Sequence, residues 1–221
     1  GFPWARRRGI VSGRSGRKGP GAMETKRAQA IRKLDGRDVL PIVRVFFEFN
    51  HLKSLYRQGW LKAGIPKAHC ETVAEHSLGV ALLALFLAEA QFPELDPVRL
   101  VRMGLLHDFG EIYAGEVVRG GMSLEDKHEL ERRSVEQVFG RLPNGADYLA
   151  VWEEFERGET AEARFLKEID RLEMGLQASV YEQEGFEELD KFFESTDKAL
   201  TTPALREILA SLLALRGGRA E

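Results

Sequence analysis

The sequence predicts an all-α, single-domain helical bundle. Three observations carry that expectation. Almost every segment after residue 38 repeats its apolar residues with a period near 3.6 rather than 2. Prolines and N-capping residues stand where those segments begin, and glycines where they stop. No internal repeat and no β-hairpin signal interrupts the pattern. At 221 residues, 43% hydrophobic and 30% charged, the chain can build one ordinary domain with a sizeable core.

The elements follow in order. Residues 1–22 hold six basic groups, no acidic ones and many glycines, and read as disordered. They lack the apolar core of a signal peptide. Their arginines suit a transit peptide while their glycines spoil an amphipathic helix, and Met23 is an alternative natural start. Residues 1–37 are therefore read as a basic lead-in, 38–216 as the bundle and 217–221 as a tail.

Within the bundle, Val39 to Tyr56 opens with Pro41 and places Val43, Phe46, Phe47, Phe49 and Leu52 on one broad apolar face. Gly59, Gly64 and Pro66 break it. Thr72 to Glu75 has capping-box spacing and starts a helix running to about Gln91. Asp96-Pro97 supplies an N-cap and first-turn proline for a helix through Leu106. Gly115, Gly120 and Gly121 mark a loop, and Ser123 caps a helix to Phe139. Pro143-Asn144-Gly145 is a turn. Helices are expected over Asp147 to Arg157 and Ala161 to Tyr181, a short one over Glu187 to Phe193, and a last one from Thr202-Pro203 to Gly217-Gly218.

The formal charge of −3 hides an asymmetry. Without residues 1–22, 26 basic groups face 35 acidic ones, a net of −9. Such a body argues against a nucleic-acid surface, which needs Lys and Arg to neutralise phosphates. The longest apolar run, Gly79 to Ala88, is far short of the ~20 residues that cross a bilayer. The single cysteine, Cys70, excludes an internal disulfide and suits a reducing compartment, so a cytoplasmic location is expected.

Against this background four side chains stand out: His76, the adjacent His107-Asp108, and Asp170. They lie 31 and then 62 positions apart, each inside an apolar helical stretch. A His or Asp aimed into a helical core carries a desolvation cost of roughly several kcal/mol unless something pairs with it. One divalent cation would satisfy all four. Glu111 stands four residues after His107 and three after Asp108, so on one continuous helix the three would bound a single cleft. A mixed imidazole and carboxylate set leaves room for water and suits a catalytic rather than a closed structural metal site. The bland readings are a core or surface histidine for His51, His69 and His128, a solvated helix-end charge for Arg57, a core aromatic for Trp60 and an exposed carboxylate for Glu111.

Four stretches together carry a resemblance: Leu55 to Trp60, Val73 to Ser77, Val101 to Glu111 and Phe165 to Met174, continued by Leu176 to Glu182. They resemble the HD-domain metal-dependent phosphohydrolases over roughly residues 38 to 200, and within them the 5′-deoxynucleotidase group. The resemblance implies a helical bundle of the HD-domain type with a metal site between core helices. It implies His76, His107, Asp108 and Asp170 as ligands of one divalent ion, and Glu111 as the catalytic acid. It further implies Arg57 at the 5′-phosphate and Trp60 beside the sugar. Family members commonly have Asp where this chain has Glu116, facing the sugar 3′-hydroxyl. The longer Glu opens the preference between deoxyribose and ribose.

The activity so implied is removal of the 5′-phosphate from deoxynucleoside monophosphates by a homodimer, with no nucleic acid or membrane as partner. His and carboxylate ligands accept Mn, Co, Mg, Zn or Fe. Two-metal relatives use extra histidines between the His-Asp pair and the final Asp, whereas here only His128 lies between Asp108 and Asp170. Two alternatives stay open: an HD phosphohydrolase for another nucleotide or small phosphate ester, and a catalytically silent nucleotide-binding module.

Overall fold

Side chains that satisfy the first backbone N–H groups decide where several helices start. The computed structural model describes residues 25–27, 29–115 and 123–217. Its helices are α1 (Pro41–Phe49), α2 (Gln58–Lys62), α3 (Val73–Gln91), α4 (Pro97–Leu106), α5 (Glu111–Ala114), α6 (Leu124–Phe139), α7 (Gly145–Arg157), α8 (Ala161–Gln183), α9 (Asp190–Ala199) and α10 (Pro203–Gly217), with 3₁₀ turns at Ala30–Leu34 and Asn50–Lys53. Asp96 accepts from the backbone of Val98 and Arg99 at the head of α4. Ser123 does so from Asp126 for α6, and Thr160 from Ala163 for α8. Among the described residues, β-pairing is confined to isolated bridges joining Thr25 to Leu55 and Tyr56 to Thr72.

Three elements depart from expectation, the first being a helix over Gln58–Lys62 that contains Gly59, a residue read as a break. The helix expected from Val39 to Tyr56 stops at Phe49, and the chain tightens into 3₁₀ geometry over Asn50–Lys53. Asn and His are weak helix formers. Beyond them the backbone of Leu55 and Tyr56 is taken by Val73 and Thr72 instead. The short helix expected at Glu187 begins only at Asp190, because Glu188 adopts a φ of +61°, which a right-handed helix does not admit.

The described residues divide into two compact units. The first comprises residues through Leu61, Cys70–Ala74 and Asp108–Leu149. Here α5 packs on α6 and on the Asn50–Lys53 turn, and α1 also meets α6. Phe109 stacks on Phe139 at 5.4 Å and tilts against Phe49 at 6.4 Å, over a core that includes Ile112, Val135 and Val138.

The second unit comprises Lys62–His69, Glu75–His107 and the residues from Ala150 on. Its axis is α8, which packs against α4, α9 and α10 and buries Leu166, Ile169 and Leu172 completely. α3 is long and apolar enough, by length and composition alone, to cross a membrane. It buries Val80, Ala81, Ala84 and Ala88. Gly104 of α4 lies so close to α3 that a Cβ there would come within 2.9 Å of the Ala81 Cα, so only glycine permits this approach.

One polar joint ties α4, α7 and α8 together. Glu154 receives two bonds from Arg99 Nε at 3.1 Å, one from Nη2 at 2.6 Å and one from the Thr160 hydroxyl at 2.6 Å. Burial pushes the Glu154 carboxyl up, but these bonds and the Arg99 charge outweigh it and hold it below the usual range. A carboxyl so depressed contributes stability above its ordinary titration range and loses it as pH falls. Glu154→Gln should therefore cost about 1 kcal/mol at pH 7, by the usual worth of such bonds. In paired denaturant titrations the difference should narrow as pH drops below about 4.5, and a pH-independent gap would contradict it.

Candidate metal centre and catalytic carboxylates

In the second unit three helices converge on a small polar cluster. His76 sits one turn into α3 and is fully buried. His107 is the C-cap of α4 and is 5% exposed. Asp170 lies midway along α8. Their ligand atoms all fall within 4.8 Å of one another. His76 Nε2 is 3.1 Å from Asp170 Oδ1, and the two imidazole rings are 5.4 Å apart at 66°.

Each imidazole is oriented through its other nitrogen. His76 Nδ1 is 2.6 Å from Glu173 Oε2, and His107 Nδ1 is 2.7 Å from the Gly104 carbonyl. Both partners only accept hydrogen bonds, so each Nδ1 carries a proton and Nε2 is the nitrogen left to face a cation. The His107 carbonyl accepts from the Trp152 indole at 3.0 Å, and Phe155 lies edge-on to its ring at 5.2 Å. Burial pushes the Asp170 carboxyl up, yet the bond and charge of His76, with Arg171 and His107, overcome this and hold it well below the usual carboxylate range.

This donor set fits a metal. Two imidazoles that can present Nε2 and one carboxylate, at mutual distances close to one coordination sphere of ~2.1 Å bonds, form a mixed nitrogen and oxygen site. Asp108, the expected fourth ligand, follows His107 directly in the chain and belongs to the first unit.

In that first unit, Arg57 Nη1 lies 3.6 Å from Asp108 Oδ2, with both side chains largely buried. Glu111 is the first residue of α5 and is 5% exposed. The expectation that His107, Asp108 and Glu111 share one continuous helix needs correction. α4 ends at Leu106, and residues 107–110 form a turn before α5 begins. The Glu111 amide bonds the Asp108 carbonyl at 3.0 Å and Ile112 that of Phe109 at 3.2 Å, so the turn is held by i→i+3 bonds.

Trp60 is 2% exposed, and its indole donates to Glu71 at 2.7 Å. Glu116 lies outside the described residues. Of the other histidines, His51 is buried and its pKa lowered by that burial, whereas His69 and His128 are exposed.

Sequence reasoning gave no role to three charged groups. Glu173 stands three residues after Asp170, on the same helical face inside the apolar run from Leu172 to Leu176, and that spacing was the available signal. Glu48 is fully buried and accepts from Tyr113 Oη at 2.6 Å and from Arg141 Nε at 2.9 and 3.0 Å, which ties α5 to α1. Lys127 pairs with Glu131 at 2.8 Å and feels the charges of Glu111 and Asp108. No local pattern announces Glu48, because Tyr113 and Arg141 are distant in the chain, whereas Lys127 and Glu131 stand at the local i,i+4 spacing.

The chain is similar to known proteins. The HD domain profile matches residues 49–210. The 5′-deoxynucleotidase HDDC2 of Homo sapiens is 31% identical over 170 residues, covering 75% of this chain and 81% of its own. A solved protein from Pyrococcus horikoshii OT3 superposes with a TM-score of 0.67 at 27% identity, covering 77% of this chain and 97% of its own. A predicted metal-dependent phosphohydrolase from Magnetospirillum magnetotacticum MS-1 does so with a TM-score of 0.61 at 32% identity, covering 80% and 93%.

The donor set generates a direct expectation. Mn²⁺ or Co²⁺ at 100 times its Kd should stabilise metal-free protein by about 2.7 kcal/mol, a rise in Tm of roughly 5–10 °C for a chain of this size. His107→Ala should abolish the rise in a thermal-shift titration, and an undiminished rise would remove His107 from the site.

Proposed function

This chain belongs to the HD-domain family, and we propose that it is a metal-dependent phosphomonoesterase removing the 5′-phosphate of deoxynucleoside 5′-monophosphates. The observation that carries the reading is the convergence of His76, His107 and Asp170 in a family whose similar members include proteins named 5′-deoxynucleotidase.

In this reading His76, His107, Asp108 and Asp170 hold one divalent ion, which can be Mn, Co, Mg, Zn or Fe. Once bound, such an ion polarises a phosphoryl oxygen and lowers the pKa of a coordinated water toward ~7. Arg57 presents a planar, permanently charged fork suited to phosphate oxygens. Its Nη1 lies 3.6 Å from Asp108 Oδ2, which keeps the guanidinium beside a proposed ligand of the ion. Glu111 is held at the start of α5, and its role is to move one proton, from the attacking water or to the leaving alkoxide. Trp60 borders the sugar, and Glu116 meets its 3′-hydroxyl.

The reading extends to the whole particle. Leu78, Leu82 and Phe86 are exposed along one stripe of α3 at helical spacing, which supports a homodimer. A free, buried Cys70 suits the reducing cytoplasm. Neither nucleic acid nor membrane is a partner in this reading.

Phosphate release from dAMP, dGMP and TMP with Mn²⁺, Co²⁺ and Mg²⁺ tests the activity, with the ribonucleotides beside them to test the sugar preference. Release from the deoxynucleotides is the expected outcome, and resistance of all three to every ion contradicts the reading. Asp108→Ala should abolish metal loading, measured by elemental analysis. Glu111→Ala should keep the metal and lower kcat by about 10²–10⁴-fold, the usual contribution of a general acid or base. Arg57→Ala should raise KM for a monophosphate, and an unchanged KM would make it a solvated charge.

A further inference from the structure

We propose that Glu173 is a positioning residue for the metal ligand His76, and that Gly79 exists to admit it. The inference rests on the proposed metal centre and concerns two residues to which that reading gives no part. Glu173 and Asp170 are one turn apart on α8, and both reach His76 from the same side. Asp170 Oδ1 approaches Nε2 at 3.1 Å while Glu173 Oε2 approaches Nδ1 at 2.6 Å. One face of one helix therefore grips both nitrogens of a fully buried imidazole.

A carboxylate accepting from Nδ1 fixes the tautomer and the ring plane, and makes the coordinating nitrogen more basic. His107 is held differently, by the backbone carbonyl of Gly104. Control of the site by a side chain thus falls on Glu173, which is 7% exposed.

Gly79 lies three residues after His76 on the same face of α3. A Cβ at Gly79 would lie 2.7 Å from Glu173 Oε1, 3.2 Å from its Cγ and 3.3 Å from its Cδ. The missing methyl is the space the carboxylate occupies. Glycine inside a helix is otherwise unfavourable relative to alanine. Its presence here is explained by the carboxylate and not by backbone need, since Gly79 is not among the positive-φ glycines.

The two variants separate positioning from stability. Gly79→Ala improves helix propensity while displacing the flexible end of Glu173, a loss of similar size, so the metal-free protein should stay folded with a Tm within a few degrees of the wild type. Affinity for Mn²⁺, measured by isothermal titration, should nevertheless fall about 10–100-fold, the usual effect of losing such a partner. Glu173→Ala should lose a similar factor, and the double variant should lose no more than either alone. Nitrogen-15 spectra of the metal-free protein should show the His76 proton on Nδ1 in the wild type, with that tautomer depleted in Glu173→Ala.

Wild-type affinity in both variants overturns the proposal while leaving the metal centre intact. A wild type that binds no divalent ion overturns the metal centre itself. In that case an Nδ1 proton lost on removing Glu173 still sustains the positioning contact, and an Nδ1 without a proton in the wild type sinks it.

Discussion

A single imidazole, that of His76, is the constraint on which the rest of the second unit depends. Burying it completely costs free energy unless both nitrogens find partners, because polar groups out of reach of water are expensive. The partners come from α8, some ninety residues later, as two carboxylates on one helical face. Every packing choice that draws α3 and α8 together serves that meeting. Val80 and Ala84 on α3 and Leu166, Ile169 and Leu172 on α8 are all fully buried, and that burial is the apolar driving force of this unit. The polar cluster then sets which register that burial selects, since a half-satisfied buried network is worse than an apolar one.

The second imidazole follows from the first by way of a glycine. Gly104 lets α4 press against Ala81 of α3, and three residues later α4 ends on His107, whose ring the Gly104 carbonyl itself orients. The helix terminus matters for chemistry as well as geometry. Because α4 stops at Leu106, Asp108 belongs to a turn between α4 and α5. The turn ends on Glu111, and α5 behind it is tied down through Tyr113 to the buried Glu48. Buried Glu48 has its carboxyl pushed up by desolvation against the pull of Tyr113 and Arg141, the signature of a group retained for its contacts.

Much of this was legible in the residues. Periodicity and caps located α3, α4, α6, α8 and α10 closely, because Asp96-Pro97, Ser123 and Thr202-Pro203 are local signals whose physics is complete within a few residues. The boundary at Phe49 was not legible, since it depends on Val73 and Thr72 capturing the backbone of Leu55 and Tyr56. The late start of α9 hangs on one positive φ at Glu188, a residue type that gives no warning of it. At the site, unusual polar residues in apolar runs marked His76, His107 and Asp170 before any fold was known. Glu173 showed the same signal and was passed over, because a charged residue three positions from another reads as surface until its partner is seen. Glu48 and Arg141 have partners defined only in three dimensions.

The central claim is that distant imidazoles and carboxylates meet around one divalent ion. X-ray absorption fine structure of the cobalt-loaded protein tests it most directly, since it reads the ligand shell without reference to any reaction. The account predicts one cobalt per chain with two imidazole nitrogens and carboxylate oxygens in its inner shell, at roughly 2.0–2.2 Å if the distances follow those of comparable sites. A shell made only of oxygens, with no imidazole scattering, would contradict it.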